Sequence, residues 1–333
     1  MWVHGKGKTE LPQNLIVGGS NANPNRRFAM EAPGAQPAAA PLVRVGDVAD
    51  WRLPDEEFLQ SFRTADARPG ALAQLHPFPK EDRITFAEAG HVYTVDGQRV
   101  PRSVTSLVHS FANEFDAART VDAMGVPEED RASLLQQWKL NGKVQRVRGQ
   151  LLHFHAESLL NGCEIEEPHS PEFRQASAVY REFIMALGLQ PFRTEICIFH
   201  CGLRVAGSVD LLCCDPSDSS LVIIDWKRSK EIRTDTVFRS MRPPLQHIPD
   251  CNYWHYALQL NMYRYILESE YGFRVSSMYL AVVHPSLTKP RVIAVPRMED
   301  LIQAIEEHEM QMGRASEPRA GDAPFPPQTD MCY

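Results

Sequence analysis

The stretch LVIIDWKRSK, residues 221–230, joins four apolar residues to an acid, a tryptophan and three cations. Leu221 to Ile224 form the short continuous apolar run expected of a strand buried in a sheet. Side chains alternate along a strand, so Asp225 and Lys227 project from one face and Trp226 from the other. One carboxylate and one ammonium thus share a face at the exit of a buried strand. A strand end meeting water would carry charges as well, so the triplet needs support from elsewhere in the chain.

That support lies upstream. RVAGSVDLL, residues 204–212, sets Asp210 in an otherwise apolar run, with Gly207 three residues before it. A buried carboxylate without a partner is costly. The turn-rich DPSDSS, residues 215–220, is short enough for the two runs to pair as neighbouring strands, which brings Asp210 beside Asp225. Two adjacent carboxylates repel unless a cation intervenes. Either Lys227 pairs with one of them, or a divalent ion with hard oxygen ligands, Mg²⁺ or Mn²⁺, sits between them.

Two helical stretches add polar residues at helical spacing. GQLLHFHAE, residues 149–157, places Gly149, His153 and Glu157 four apart on one face, with His155 pointing away. ALQLNMY, residues 257–263, does the same for Gln259 and Tyr263. Each taken alone also fits an ordinary core or surface helix.

The chain has 333 residues, 43% of them hydrophobic, enough for a sizeable core in one large domain or two small ones. No apolar run has the length of a membrane span and the N-terminus lacks the order of a secretory signal, so an intracellular protein is expected, with nucleus, cytoplasm and mitochondrion all left open. The seven cysteines show neither disulfide-framework spacing nor a C-x-x-C pair, and read as reduced thiols. A net charge of −7 excludes general affinity for polyanions, so any nucleic-acid surface must be local. Two basic runs offer one. KLNGKVQRVRG carries Lys139, Lys143, Arg146 and Arg148 without an acid, and the run from Trp226 to Arg242 carries six cations, among them Arg228 and Lys230. No G-x4-G-K-[ST] loop is present, so no P-loop motor is built in.

Residues 1–80 are rich in Pro and Gly and read as a mostly disordered leader, with a short helix near 54–63 able to dock a partner protein. Residues 314–333 read as a disordered tail, and 81–313 as the folded domain. Within that domain a hairpin is expected around Asp96-Gly97. Helices follow over 103–112, 116–124, 127–138, 147–162 and 171–188, then strands at 193–200, 203–214 and 221–227. A long helix over 253–272, two further strands and a last helix over 298–311 complete it. Helices before and after a central mixed sheet make the fold class α/β (α+β).

In order, the motifs are G-x3-H-x3-E on a helix, G-x2-D on a strand, D-x-K on the next strand and Q-x3-Y on the following helix. That set, here RGQLLHFHAE, VAGSVD, IIDWK and QLNMY, resembles the RecB-like exonuclease branch of the PD-(D/E)XK nuclease superfamily, over about residues 84–296. The resemblance implies a restriction-endonuclease-like core, a central mixed β-sheet flanked by helices. It implies that Asp210 and Asp225 bind Mg²⁺ (or Mn²⁺) together with His153 and the Trp226 backbone carbonyl, and that Lys227 positions or deprotonates the attacking water. Gly149, Glu157, Glu195, Gln259 and Tyr263 are supporting positions. The implied activity is metal-dependent cleavage of DNA, single strands or ends above all, with RNA left open. A desolvated lysine beside a metal is expected to have a lowered pKa, as a general base requires. Lys139, Lys143, Arg146, Arg148, Arg228 and Lys230 are then the expected phosphate contacts. Several relatives in the branch bind an iron–sulfur cluster through one cysteine before and three after the motifs. Only Cys251 and Cys332 follow Lys227, so no cluster is expected here. A module of the same fold that binds nucleic acid without cutting it is the alternative, but it has no need of the acid-plus-lysine set.

Overall fold

The computed structural model describes residues 42–43, 53–61, 70–88, 90–165, 170–236 and 239–315. Most of the leader before residue 53 and the tail after 315 lie outside the described residues. In chain order the elements begin with β1 (Leu42–Val43), α1 (Asp55–Ser61) and α2 (Ala71–Leu75). A small meander follows, β2 (Ile84–Ala87), β3 (Val92–Val95) and β4 (Gln98–Arg99), then β5 (Arg102–Ser103). Next come α3 (Val104–Ser110), α4 (Ala117–Ala123), α5 (Glu128–Leu160), β6 (Glu164–Ile165) and α6 (Pro171–Val179). The last part comprises β7 (Gln190–His200), β8 (Val205–Asp215), β9 (Ser220–Arg228), α7 (Asn252–Ser269), β10 (Val275–Val283), β11 (Arg291–Val295) and α8 (Glu299–Ala315).

The β3–β4 turn is the Asp96-Gly97 hairpin, with φ of 50° and 78° at its two central residues, the left-handed pair that matches strand twist. Its meander packs through Ile84, Tyr93 and Val95 onto Phe199 and Ala206. Ser103 accepts a hydrogen bond from Ser106 N at 3.0 Å and so caps α3 directly after β5.

The long helix α5 corrects the sequence-based expectation of two helices over 127–138 and 147–162. It runs unbroken for 33 residues, about 50 Å. Three acids in its first turn suit the positive end of the helix dipole. Gly142 and Gly149 weaken the middle by about 1 kcal/mol each relative to alanine, but neither breaks a helix whose flanks are packed. Part of that packing comes from α1, whose fully buried Phe58 meets the fully buried Val144.

The central sheet is mixed, in the order β11-β10-β9-β8-β5, with β7 also paired to β8. β9 runs parallel to β10 and antiparallel to β8. Alternation along β9 splits its side chains between two cores. Leu221 and Ile223 join the core beneath α3, α7 and α8, whereas Val222, Ile224 and Trp226 join the one beneath α5 and α6. The β8–β9 pairing ends at Leu211 opposite Ile224. Beyond that point β5 takes the edge of β8 that β9 leaves, pairing with Val205 and Ala206. Asp210 and Asp225 are the next residues in register, so they stand where the two strands part. Among the described residues no helix is long and apolar enough to cross a membrane.

Candidate active site

At the parting of β8 and β9, Asp210 is 8% exposed and Asp225 1%. The free main-chain N–H of Trp226, no longer used by the sheet, donates to Asp210 Oδ2 at 2.7 Å. The other oxygen of Asp210 faces α5, where His153 Nδ1 lies 3.6 Å away, and the same nitrogen lies 3.2 Å from Glu195 Oε1. His153, Glu195 and Asp210 each present one donor atom within 4.8 Å of the others, a group able to hold a metal ion.

Glu195 sits opposite Asp210 on β7 and has a φ of 46°, a left-handed backbone inside a strand. A non-glycine residue in that region carries strain that the surroundings must impose, and such residues gather at functional sites. The kink aims the carboxylate at His153, while Ser208 Oγ donates to Glu195 Oε2 at 3.2 Å.

Asp225 is placed differently. Lys227 Nζ lies 2.6 Å from its Oδ2, yet neither buried carboxylate oxygen accepts a well-aligned hydrogen bond. A carboxylate that deep in the protein is costly without compensating charge, which Lys227 supplies at one oxygen. The donor set of hard carboxylates with one imidazole fits a divalent cation.

Lys227 also donates to Gln259 Oε1 at 3.3 Å and lies 4.9 Å from the Tyr256 ring centroid. Gln259 Nε2 donates to the Tyr263 hydroxyl at 2.9 Å and to Thr105 Oγ1 at 3.2 Å, linking α7 to α3. Tyr263 packs so closely on Gly207 that a Cβ there would come within 2.6 Å of its ring. The glycine in V-A-G-S-V-D is explained by that approach.

The charges shift one another. Burial alone would push the Lys227 ammonium down, but Asp225 and Asp210 outweigh it and raise its pKa above the ordinary lysine value. The ion pair with Asp225 favours the proton on Nζ. Burial raises the Asp210 carboxyl, with Asp225 and Glu195 reinforcing and His153 and Lys227 opposing. His153 is disfavoured as a cation by burial but raised on balance by Asp210 and Glu195. Glu157, one turn further along α5, is pushed up to about 7 by burial and by Glu195.

The structure brings His153, Glu157, Glu195, Asp210, Asp225, Lys227, Gln259 and Tyr263 to one end of the sheet. Trp226 contributes its N–H there, while its ring lies in the α5–α6 core. A Cβ on Gly149 would meet nothing within 4 Å. Lys139, Lys143, Arg146 and Lys230 are exposed. Two expected phosphate contacts are turned inward. Arg228, its side chain 4% exposed, donates to Glu172 Oε1 at 2.8 Å and also bonds Gln145, so it ties β9 to α6 and α5. Arg148 bonds Asp55 at 3.2 Å and lies over the Phe58 ring at 5.1 Å, pinning α1 to α5.

Sequence reasoning missed Thr105 and Tyr256, which hold Gln259 and Lys227, and Tyr93, which packs beneath Phe199 and Ala206. Ser208 was legible as the same-face neighbour of Asp210, and Tyr256 as the residue one turn before Gln259. Thr105 and Tyr93 come from distant elements and carry no local signal.

Solved structures give only distant likeness. A protein from Eubacterium rectale, provisionally described as an exonuclease, aligns at 16% identity with a TM-score of 0.33, over 50% of this chain and 65% of its own. This chain thus spans just under two thirds of that one. SSO0001 aligns at 17% identity with a TM-score of 0.29, over 63% of this chain and 75% of its own. No curated protein matches the chain. A family model, by contrast, matches residues 88–333, the stretch that holds the whole six-stranded sheet and every member of the cluster around Asp210, and by that match the chain belongs to the PD-(D/E)XK nuclease superfamily.

Proposed function

We propose that the chain is a metal-dependent nuclease that hydrolyses phosphodiester bonds of DNA, working as an exonuclease on single strands or ends. The observation that carries the reading is the meeting of buried Asp225, ion-paired with Lys227, and Asp210, next in register and within ligand distance of His153 and Glu195. Asp210, Asp225, His153 and the Trp226 carbonyl would hold Mg²⁺ or Mn²⁺, with Glu195 close enough to join them. When bound, such an ion supplies Lewis acidity, an activated water and charge neutralisation at the phosphate.

The protein's own groups do the rest. Lys227, beside Asp225, offers N–H donors to a phosphate oxygen and to the incoming water, an electrostatic and orienting role. Gln259, held by Tyr263 and Thr105, fixes the direction of that ammonium. Glu157, with its pKa near 7, can hold or release a proton at its carboxylate within the working pH range. Lys139, Lys143, Arg146 and Lys230 provide exposed positive charge for the strand.

The test uses labelled single- and double-stranded DNA and RNA, with Mg²⁺, with Mn²⁺ and with EDTA, beside Lys227→Ala. Cleavage that requires metal and falls about 10²–10³-fold in the variant is expected. Binding without cleavage under every condition would reassign the protein as a non-catalytic nucleic-acid-binding module. Circular against linear single strands tests the need for an end.

A further inference from the structure

Phe115 stands in the turn between α3 and α4 and is 63% exposed. The backbone on either side of it is anchored. Asn113 is anchored by Asp250 and by the Ser240 carbonyl, its N–H donating to Asp250 Oδ2 at 2.8 Å and its Nδ2 to Ser240 O at 2.7 Å. Asp116 caps α4, accepting from Arg119 N at 2.9 Å. The Phe115 ring faces Trp138 on α5, with centroids 5.9 Å apart and planes inclined by 40°. A large aromatic held in water by two anchored flanks is costly to the free protein and suited to a ligand that covers it.

Trp138 opens the path to the active site. Lys139, Lys143 and Arg146 follow on α5 at spacings of four and three, then His153 and Glu157 on the same face. The three cations are exposed, and none forms an ion pair among the described residues. From Trp138 to His153 the helix rises about 22 Å. At about 3.4 Å per nucleotide of a stacked strand that reach takes up about six or seven nucleotides, within the roughly 4–16 covered by single-strand binding sites, which combine a basic track with stacking aromatics. Glu114 and Asp116 flank Phe115, so a strand would turn its bases towards the ring and its phosphates towards α5.

We infer that Phe115 and Trp138 form a base-stacking platform, on which one base of a single-stranded nucleic acid rests while its backbone follows the basic face of α5 to the His153 cluster. The inference rests on the nuclease reading and adds to it a second, remote contact that sets how long a strand must be for tight binding. Double-stranded DNA, whose bases are already stacked, gains nothing from it.

The experiment measures binding of thymidine oligomers of about 16 and about 4 nucleotides in Ca²⁺. It compares the wild-type protein with Phe115→Ala, Phe115→Leu and Trp138→Ala, each checked for an unchanged far-UV spectrum. Phe115→Ala and Phe115→Leu are expected to weaken the longer oligomer roughly 5- to 100-fold and to leave the shorter one unchanged. A 16-mer abasic at every position should bind wild type and Phe115→Ala alike. If the wild-type protein cleaves DNA and all three variants bind the 16-mer as tightly as it does, the platform is overturned and the nuclease reading stands. A wild-type protein that neither binds nor cleaves any strand overturns both.

Discussion

Lys227 shows how a single residue takes its character from neighbours that are remote in sequence. Its charge is set by Asp225 two residues away, but its direction by Gln259 and Tyr256 on α7. Gly207 is read the same way. The contact with Tyr263 predicts that Gly207→Ala displaces the ring, loosens the Gln259 support and costs about 1–3 kcal/mol. Thermal unfolding beside initial rates checks this, and an unchanged rate would show that Tyr263 does not steady Lys227. His155, which points away from the cluster, packs edge-on against Phe173 at 5.7 Å. Burial lowers its pKa from 6.5 to about 4, with Glu172 opposing. The folded protein thus keeps the imidazole neutral where the unfolded chain would protonate it, so stability is full above about pH 6.5 and falls as the pH drops towards 4. His155→Phe should remove about 2–3 kcal/mol of that acid sensitivity, read from urea midpoints across the range. At this scale the sequence pointed to Asp210, Asp225, Lys227 and His153 as an ordered set of motifs rather than singly, and the fold brings the four to one sheet end. Glu195 was expected only as a supporting position, and the left-handed kink that turns its carboxylate towards His153 leaves no local mark in the sequence.

Among the elements, α5 and β9 carry the most consequence. Two helices with a gap over 139–146 were expected where α5 runs unbroken, a stretch held by packing against α1 and the sheet. The same packing reassigns Arg228. Both partners of its pair with Glu172 are buried, and removing one partner of such a pair costs about 3–5 kcal/mol. Arg228→Ala should therefore lower the unfolding free energy obtained from urea titration by that amount and leave oligonucleotide affinity per folded molecule intact. Lost affinity at unchanged stability would instead return Arg228 to the phosphate-binding surface. A run of cations read along the chain cannot tell these cases apart, since successive strand residues face opposite ways and only the sheet's neighbours decide which way meets water.

For the whole molecule, the site exists only because two strands separate. Where β8 and β9 remain paired, their backbone groups satisfy each other. Where they part, the N–H of Trp226 turns to Asp210 and two carboxylates are left facing the helices. A site of this make-up should bind divalent ions more tightly in the folded than in the unfolded chain. Mn²⁺ or Mg²⁺ at a hundred times its dissociation constant should then stabilise the protein by about 2.7 kcal/mol over EDTA, and Asp210→Asn should abolish the difference. Calorimetric melting with and without the ions checks it, and an equal metal response in the variant would remove Asp210 from the ligand set. Alternation, helical spacing and turn chemistry are local properties, so the amino-acid order was enough to specify the central strands, most of the helices, the hairpin and the residue types that meet at one sheet end. The rest is non-local. Where β9 leaves β8, which cations face inward, how Glu195 is bent and how α3 and α7 clasp Lys227 depend on contacts between segments up to 154 residues apart. Such contacts are decided by which packing buries the most surface at the least strain, and no window of sequence contains that choice.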